Sequence, residues 1–325
     1  MARINNFANG FTNGVLIRGL PLSQVHPGRV FWVNNSTVLP DGGIGGSNGN
    51  DGSYLRPFST IDYAVSKCKA SRGDIVLVMP GYAQTITAAA EIGLDVAGVA
   101  VIGLGVGSLR PTITYGTAAA ASVRVSVANF SVQNIIFVAN FADVGTAIDV
   151  TTAKDFTVEY CEFRDSSSSL NFINAIDTNA VANDADGLYF CHNRVSSLGT
   201  TAATTAIEID EAQDRVTANH NFLVMAVLNN TPALIECATF NLTNLEVAYN
   251  IVVRPNTDTA TGGILLEGSG ETFTGMVHHN DCKTLDVAGM LIMTLSSKLG
   301  FHENYLSGTA DVSGILIPAA DSDAS

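Results

Sequence analysis

The 325-residue sequence predicts an all-β fold, a parallel β-helix with about three short strands per coil. Three observations carry that expectation: one phrase recurs at a solenoid's period, two companion ladders keep the same step, and no long helical pattern separates the strands. The phrase is an apolar strand running into Asn-x-apolar. It reads Phe190-Cys-His-Asn-Arg-Val195, Ala218-Asn-His-Asn-Phe-Leu223, Val247-Ala-Tyr-Asn-Ile-Val252, Val277-His-His-Asn-Asp-Cys282 and Phe301-His-Glu-Asn-Tyr-Leu306. Two earlier copies, Val132-Gln-Asn-Ile-Ile-Phe137 and Val158-Glu-Tyr-Cys-Glu-Phe163, lack the Asn. The matched positions 135, 161, 193, 221, 250, 280 and 304 are separated by 26, 32, 28, 29, 30 and 24 residues. Such a period marks units that bury their apolar faces only by stacking on one another.

A second ladder lies between the phrases: Thr146-Ala-Ile-Asp-Val150, Asn174-Ala-Ile-Asp177, Thr205-Ala-Ile-Glu-Ile209, Pro232-Ala-Leu-Ile-Glu236, Gly263-Ile-Leu-Leu-Glu267, Gly289-Met-Leu-Ile-Met293 and Gly314-Ile-Leu-Ile317. A third line, Phe156, Leu188, Val216, Leu245, Gly275 and Leu299, precedes each phrase by five residues. Short apolar runs with Asn, Asp, Gly, Ser and Thr at the corners read as strands and turns. Parallel strands at this period, without intervening helices, mean a β-helix. The column Asn193, Asn221, Asn250, Asn280 and Asn304 reads as a structural ladder. Amides about 4.8 Å apart can bond along the stack, and Asn tolerates the left-handed backbone of a sharp corner.

Three segments follow in chain order. Residues 1–29 are an arm outside the repeat, with Arg3, Arg18 and Arg29 but no acidic residue. Residues 30–73 hold a lead-in strand, a Gly-rich loop and the one good helix candidate, within 57–73. Ser59 or Thr60 can cap that helix, Ile61, Ala64, Val65 and Cys68 form its apolar stripe, and Gly73 ends it. A helix there would cover the open end of the solenoid. The loop 41–52 fails the context of a nucleotide fingerprint, and Asn48, Asn50 and Asp51 lack the spacing of a calcium-binding EF-hand, so a flexible surface turn is expected. Residues 74–325 form the β-helix, with 74–81 as its first full strand.

Composition agrees. Apolar residues make up 46% and charged residues 14%, against about 25% charged in a typical soluble domain, which disfavours long charged helices. A net charge of −14 repels phosphate backbones, so nucleic acid is not an expected partner. No apolar run reaches membrane-spanning length, and residues 1–29 carry no signal-peptide core. The five cysteines, an odd number without a Cys-x-x-Cys pair, read as free thiols of a reducing compartment.

The segments Asn50-Asp-Gly52, Pro57-Phe-Ser-Thr-Ile61, Ala64-Val65 and Gly73-Asp-Ile-Val-Leu-Val-Met-Pro-Gly81 resemble the opening signature of pectin-lyase-like right-handed β-helix proteins, common among bacteriophage tailspikes. Gly10-Phe-Thr-Asn-Gly-Val-Leu-Ile-Arg-Gly-Leu-Pro21 with Val30-Phe-Trp-Val-Asn-Asn-Ser36 is similar to a group of phage virion proteins often encoded near the major capsid protein. The resemblance implies a right-handed helix, a homotrimer and a place in the virion. The expected function is capsid decoration, with Arg3, Phe7, Phe11, Ile17 and Arg18 docking the arm on the major capsid protein. The alternative is a tailspike-type protein that binds or cleaves host surface polysaccharide.

No enzyme activity, metal or cofactor is expected. The best catalytic candidates are Asp149, Asp177 and Glu208, stacked in three successive coils, with Glu236 and Glu267 near the same place beyond them. Glycosidases need such paired carboxylates. The competing reading is an exposed strand face on an acidic protein. His192, His220 and His279 share a file with Tyr160, Tyr249 and Glu303, which reads as stacked flat side chains on the surface rather than a zinc site.

Overall fold

The computed structural model describes residues 16–17, 20–21, 28–39, 42–178, 181–198, 204–225, 233–237, 239–254, 263–266, 271–284, 291–293, 298–307, 314–315 and 319–320. It is a right-handed parallel β-helix built of three long sheets, as the repeat predicts. Each coil contributes one strand to each sheet in turn. The first sheet runs from Val30–Val33 through Ile75–Val78 and eight further steps to Lys298–His302. The second runs from Ala83–Ile86 to Tyr305–Ser307, and the third from Ile92–Leu94 to Ala319–Ala320. Between successive coils all three are paired in parallel; the short Gly314–Ile315 strand alone joins the second sheet antiparallel.

The strands form where the sequence alternates. Ile75–Val78, Ala100–Gly103 and Thr112–Tyr115 each bury every second residue, so one face of each strand lines the core. Inward side chains then stack from coil to coil. Phe137 lies on Phe163 with ring centroids 4.8 Å apart and an 11° interplanar angle, and Phe163 continues to Phe190 at 5.9 Å. Cys161, Cys191, Cys237 and Cys282 are buried and unpaired, Cys68 is half-buried and free, and burial pushes the Cys161, Cys237 and Cys282 thiols up to about 12.

The corner between the first and second sheets departs from expectation in one detail. The left-handed residue is not the ladder Asn but the one before it: Asn134, Tyr160, His192, His220, Tyr249, His279 and Glu303 have φ between 53° and 58°. The Asn that follows turns its amide inward. Nδ2 of Asn221 donates to Oδ1 of Asn250 at 3.0 Å, Asn250 to Asn280 at 2.9 Å, and Asn280 to Asn304 at 2.9 Å. Each of these amides also bonds a strand carbonyl, as Asn250 does to that of Ala218 at 2.7 Å. Burying an amide demands partners for every polar atom, and the interior of the corner supplies them. The ladder is therefore structural.

The helix α1 is shorter than the 57–73 window, spanning Ile61–Ser66. Thr60 caps it, its hydroxyl accepting from the Tyr63 amide, and Ile61, Ala64 and Val65 are buried against the first coil. The chain turns early because Asp74 draws it in. Its carboxylate accepts from the Lys69 and Arg29 amides, both at 2.7 Å, and from the Arg72 guanidinium. Burial pushes the Asp74 carboxyl up, but the Arg72 hydrogen bond and the two amides hold it below the usual range. The Gly-rich loop is pinned rather than loose. Asn48 Oδ1 accepts from the Ser59 amide at 3.0 Å, and Asn50 Nδ2 donates to the carbonyls of Gly45 and Pro57 at 3.0 and 2.8 Å. Those amides are committed to the loop itself.

Candidate functional site

The outward face of the third sheet carries one continuous column. Register pairs Gly93 with Arg124, Arg124 with Asp149, Asp149 with Asp177, Asp177 with Glu208, and Glu208 with Glu236. Adjacent members are about 4.8 Å apart along the stack. All three sequence candidates thus share one column, and Glu236 joins them in register. Beyond Glu236 the partner is Leu265; Glu267 lies outside the described residues. The pairing of this strand with the next coil is irregular between Ala233 and Ile235, where two residues are matched by one step on the facing strand.

Arg124 closes the head of the column. Its Nε lies 2.9 Å from Oδ2 of Asp149, whose side chain is almost fully buried while the guanidinium is half-exposed. Among the described residues, Asp177 and Glu208 have no such cation. Desolvation, with Asp210 and Asp149 adding repulsion, pushes Asp177 up to about 7. Desolvation, then Glu236, Asp210 and Asp177, pushes Glu208 up to about 8, with an Asp210 hydrogen bond favouring its protonated form. Like charges stacked on adjacent coils cannot all ionise in a half-dry setting. Asp210 stands just past Glu208 at the exposed edge of the column; it and Arg124 were not singled out from the sequence.

Two oxygens of the column stand apart from the other buried carboxylates. Oδ1 of Asp149 and Oδ1 of Asp177 are buried without a hydrogen-bond partner. Asp165, by contrast, accepts from the amides of Phe172 at 3.0 Å and Leu198 at 2.7 Å, in addition to nearby hydroxyls. The acid of a structural site is supplied with donors. The column holds acids with capacity to spare.

The other predicted residues fall elsewhere. Tyr160, His192, His220, Tyr249 and His279 form the expected file of stacked rings along the outer corner, with centroids 4.8–4.9 Å apart. Ile17 belongs to the short strand Leu16–Ile17, paired antiparallel with Leu20–Pro21. Arg3, Phe7, Phe11 and Arg18 lie outside the described residues.

No protein-family model matches the chain, and no curated protein does. Among solved structures, the GH136 lacto-N-biosidase from Eubacterium ramulus is similar at 11% identity and a TM-score of 0.39, over 86% of this chain and 68% of that one. A rhamnogalacturonan lyase is similar at 12% identity and a TM-score of 0.36, over 89% and 90% of the two chains. Both neighbours are enzymes, which goes against the expectation of no enzyme activity. At these values the likeness transfers neither reaction to this chain. The strand topology itself makes the chain a parallel β-helix.

Proposed function

We propose that the outward face of the third sheet binds a polysaccharide and cleaves it at the Asp177–Glu208 pair, in the manner of a tailspike-type protein acting on host surface glycan. The observation that carries this reading is the registered carboxylate column with two buried, unpartnered oxygens on Asp149 and Asp177. Residues in register on adjacent coils have backbones about 4.8 Å apart, a spacing that allows the roughly 5–5.5 Å carboxyl separation of glycosidases that retain anomeric configuration. Glu208, with the higher pKa, holds the proton and donates it to the glycosidic oxygen as the bond to the sugar breaks. Asp177, as carboxylate, attacks the anomeric carbon; water, deprotonated by Glu208, then releases the sugar. The surrounding acids and the net charge of −14 favour a neutral glycan over a uronate chain.

The test is reducing-end release from a panel of neutral and uronate-bearing bacterial surface polysaccharides. Activity is expected on a neutral chain and to fall at least about a hundredfold in Asp177→Asn and in Glu208→Gln. Absence of release from every neutral chain, or full activity in both variants, overturns the reading.

A second reading, capsid decoration, is favoured by the arm, where three arginines and no acid stand against an acidic body. In that reading the arm docks on a major capsid protein and the chain assembles as a trimer. Deleting residues 2–25 is expected to abolish attachment to particles while the far-ultraviolet circular dichroism is unchanged. Retained attachment argues against it.

A further inference from the structure

The file of rings along the outer corner ends in a different arrangement. At its last two described coils, His278 and His279 face His302 and Glu303 as a two-by-two block, because His278 is in register with His302. One ring nitrogen from each of His278, His279 and His302 lies within 4.8 Å of the others. The rings of His278 and His302 are stacked at 4.7 Å, and that of His279 stands nearly perpendicular to both.

The two Nδ1 atoms of His278 and His279 are 2.8 Å apart. Their opposite nitrogens face carboxylates: Nε2 of His279 contacts Glu303, and Nε2 of His278 lies 3.9 Å from Glu246. The Glu303 carboxylate at Nε2 of His279 draws the proton there and leaves its Nδ1 as a lone pair. Across 2.8 Å that lone pair faces Nδ1 of His278, so the two nitrogens either share one proton in a hydrogen bond or, once it is lost, offer two lone pairs to one cation. A metal bound at about 2.0–2.1 Å by imidazole nitrogens sets neighbouring donors roughly 3 Å apart. The His278–His279 pair already has that spacing, and the exposed His302 offers a third nitrogen within 4.8 Å.

We propose that His278, His279 and His302 bind a divalent first-row transition metal, with Glu303 and Glu246 orienting the rings. Three imidazoles and no thiolate suit Zn²⁺, Ni²⁺ or Cu²⁺, and not the oxygen-seeking Ca²⁺ or Mg²⁺. The ligands span two coils, so the metal ties the carboxyl-terminal coils together. This site is separate from the acidic column and does not rest on the glycan reading.

The full chain, freed of metal with a chelator and dialysed, is titrated with zinc alone by calorimetry. One Zn²⁺ per chain and a raised midpoint of thermal unfolding are expected, with no response to Ca²⁺ or Mg²⁺. His278→Asn with His302→Asn is expected to weaken zinc binding at least about a hundredfold, and Glu303→Gln about tenfold. His192→Asn with His220→Asn, in the same outer file, is expected to leave it unchanged. X-ray absorption of the zinc-loaded wild type provides a measure independent of variant folding and is expected to show imidazole nitrogens in the first shell. Less than one zinc per chain, undiminished binding by the His278→Asn/His302→Asn chain, or a shell of oxygens alone overturns the proposal.

Discussion

Asn250 shows how much one buried side chain can hold in this fold. It accepts from the backbone amide and the side chain of Asn221 at 2.8 and 3.0 Å, and donates to the Ala218 carbonyl and to Asn280. Asn250→Ala leaves buried donors without acceptors and is expected to cost about 2–4 kcal/mol, read from urea unfolding midpoints. The same substitution at Asn304, the last described rung, strands fewer groups and is expected to cost less. At the acidic column the two raised carboxyls set the pH profile of the proposed reaction. The rate is expected to rise as Asp177 ionises near pH 7 and to fall as Glu208 loses its proton near pH 8, a narrow bell measurable in kcat/KM. In Glu208→Gln, the residual rate is expected to lose its alkaline limb. The ladder asparagines were legible in the sequence because identical residues recur at one period. The left-handed residue beside them was not, because His, Tyr and Glu carry no local signal for that conformation.

Among the elements, the capping segment depends on Asp74 more than on the helix it follows. Asp74 is buried and gathers two backbone amides and a guanidinium, whereas Arg72 keeps over a quarter of its side chain exposed. Asp74→Ala is expected to destabilise the fold by about 3 kcal/mol, and Arg72→Ala by about 1 kcal/mol or less, both by thermal unfolding. The opposite order would mean that the ion pair, not the amide bonds, holds the segment. Helix α1 was placed by its cap and apolar stripe, but its end was not, since it is set by Asp74 reaching back to Lys69. The third ladder also shows where sequence spacing misleads. Gly275 stands where other coils carry Phe, Leu or Val, because its φ is +132° and a Cβ there would lie 2.0 Å from the Leu245 carbonyl oxygen.

Across the whole molecule the acidic column makes stability depend on pH in an uncommon direction. Folding raises Asp177 and Glu208 from ordinary values of 3.8 and 4.5 to about 7 and about 8. The folded chain therefore holds protons that the unfolded chain has released, so this contribution is complete below about pH 4 and lost as pH rises through about 8. Asp177→Asn with Glu208→Gln is expected to raise the unfolding midpoint at pH 8.5 by a few degrees, about 1 kcal/mol once solvent screening is allowed for, and to change little at pH 5. A midpoint equally raised at both values would contradict the proton linkage.

A solenoid repeats its chemistry, so the period, the Asn ladder, the outer file of rings and the three stacked acids could all be read from spacing alone. Spacing stops where the backbone absorbs or deletes a residue. Strand pairing brings Glu236 into the acidic column and sets Arg124 at its head. His278 and His302 meet for the same reason: the number of residues in each coil, not the motif, decides which side chains stand over one another. The sequence by itself determined that the chain stacks and which residues face the corner. Only the tertiary structure decided which charges share a column and which imidazoles share a space, because register is a property of paired strands and not of either strand alone.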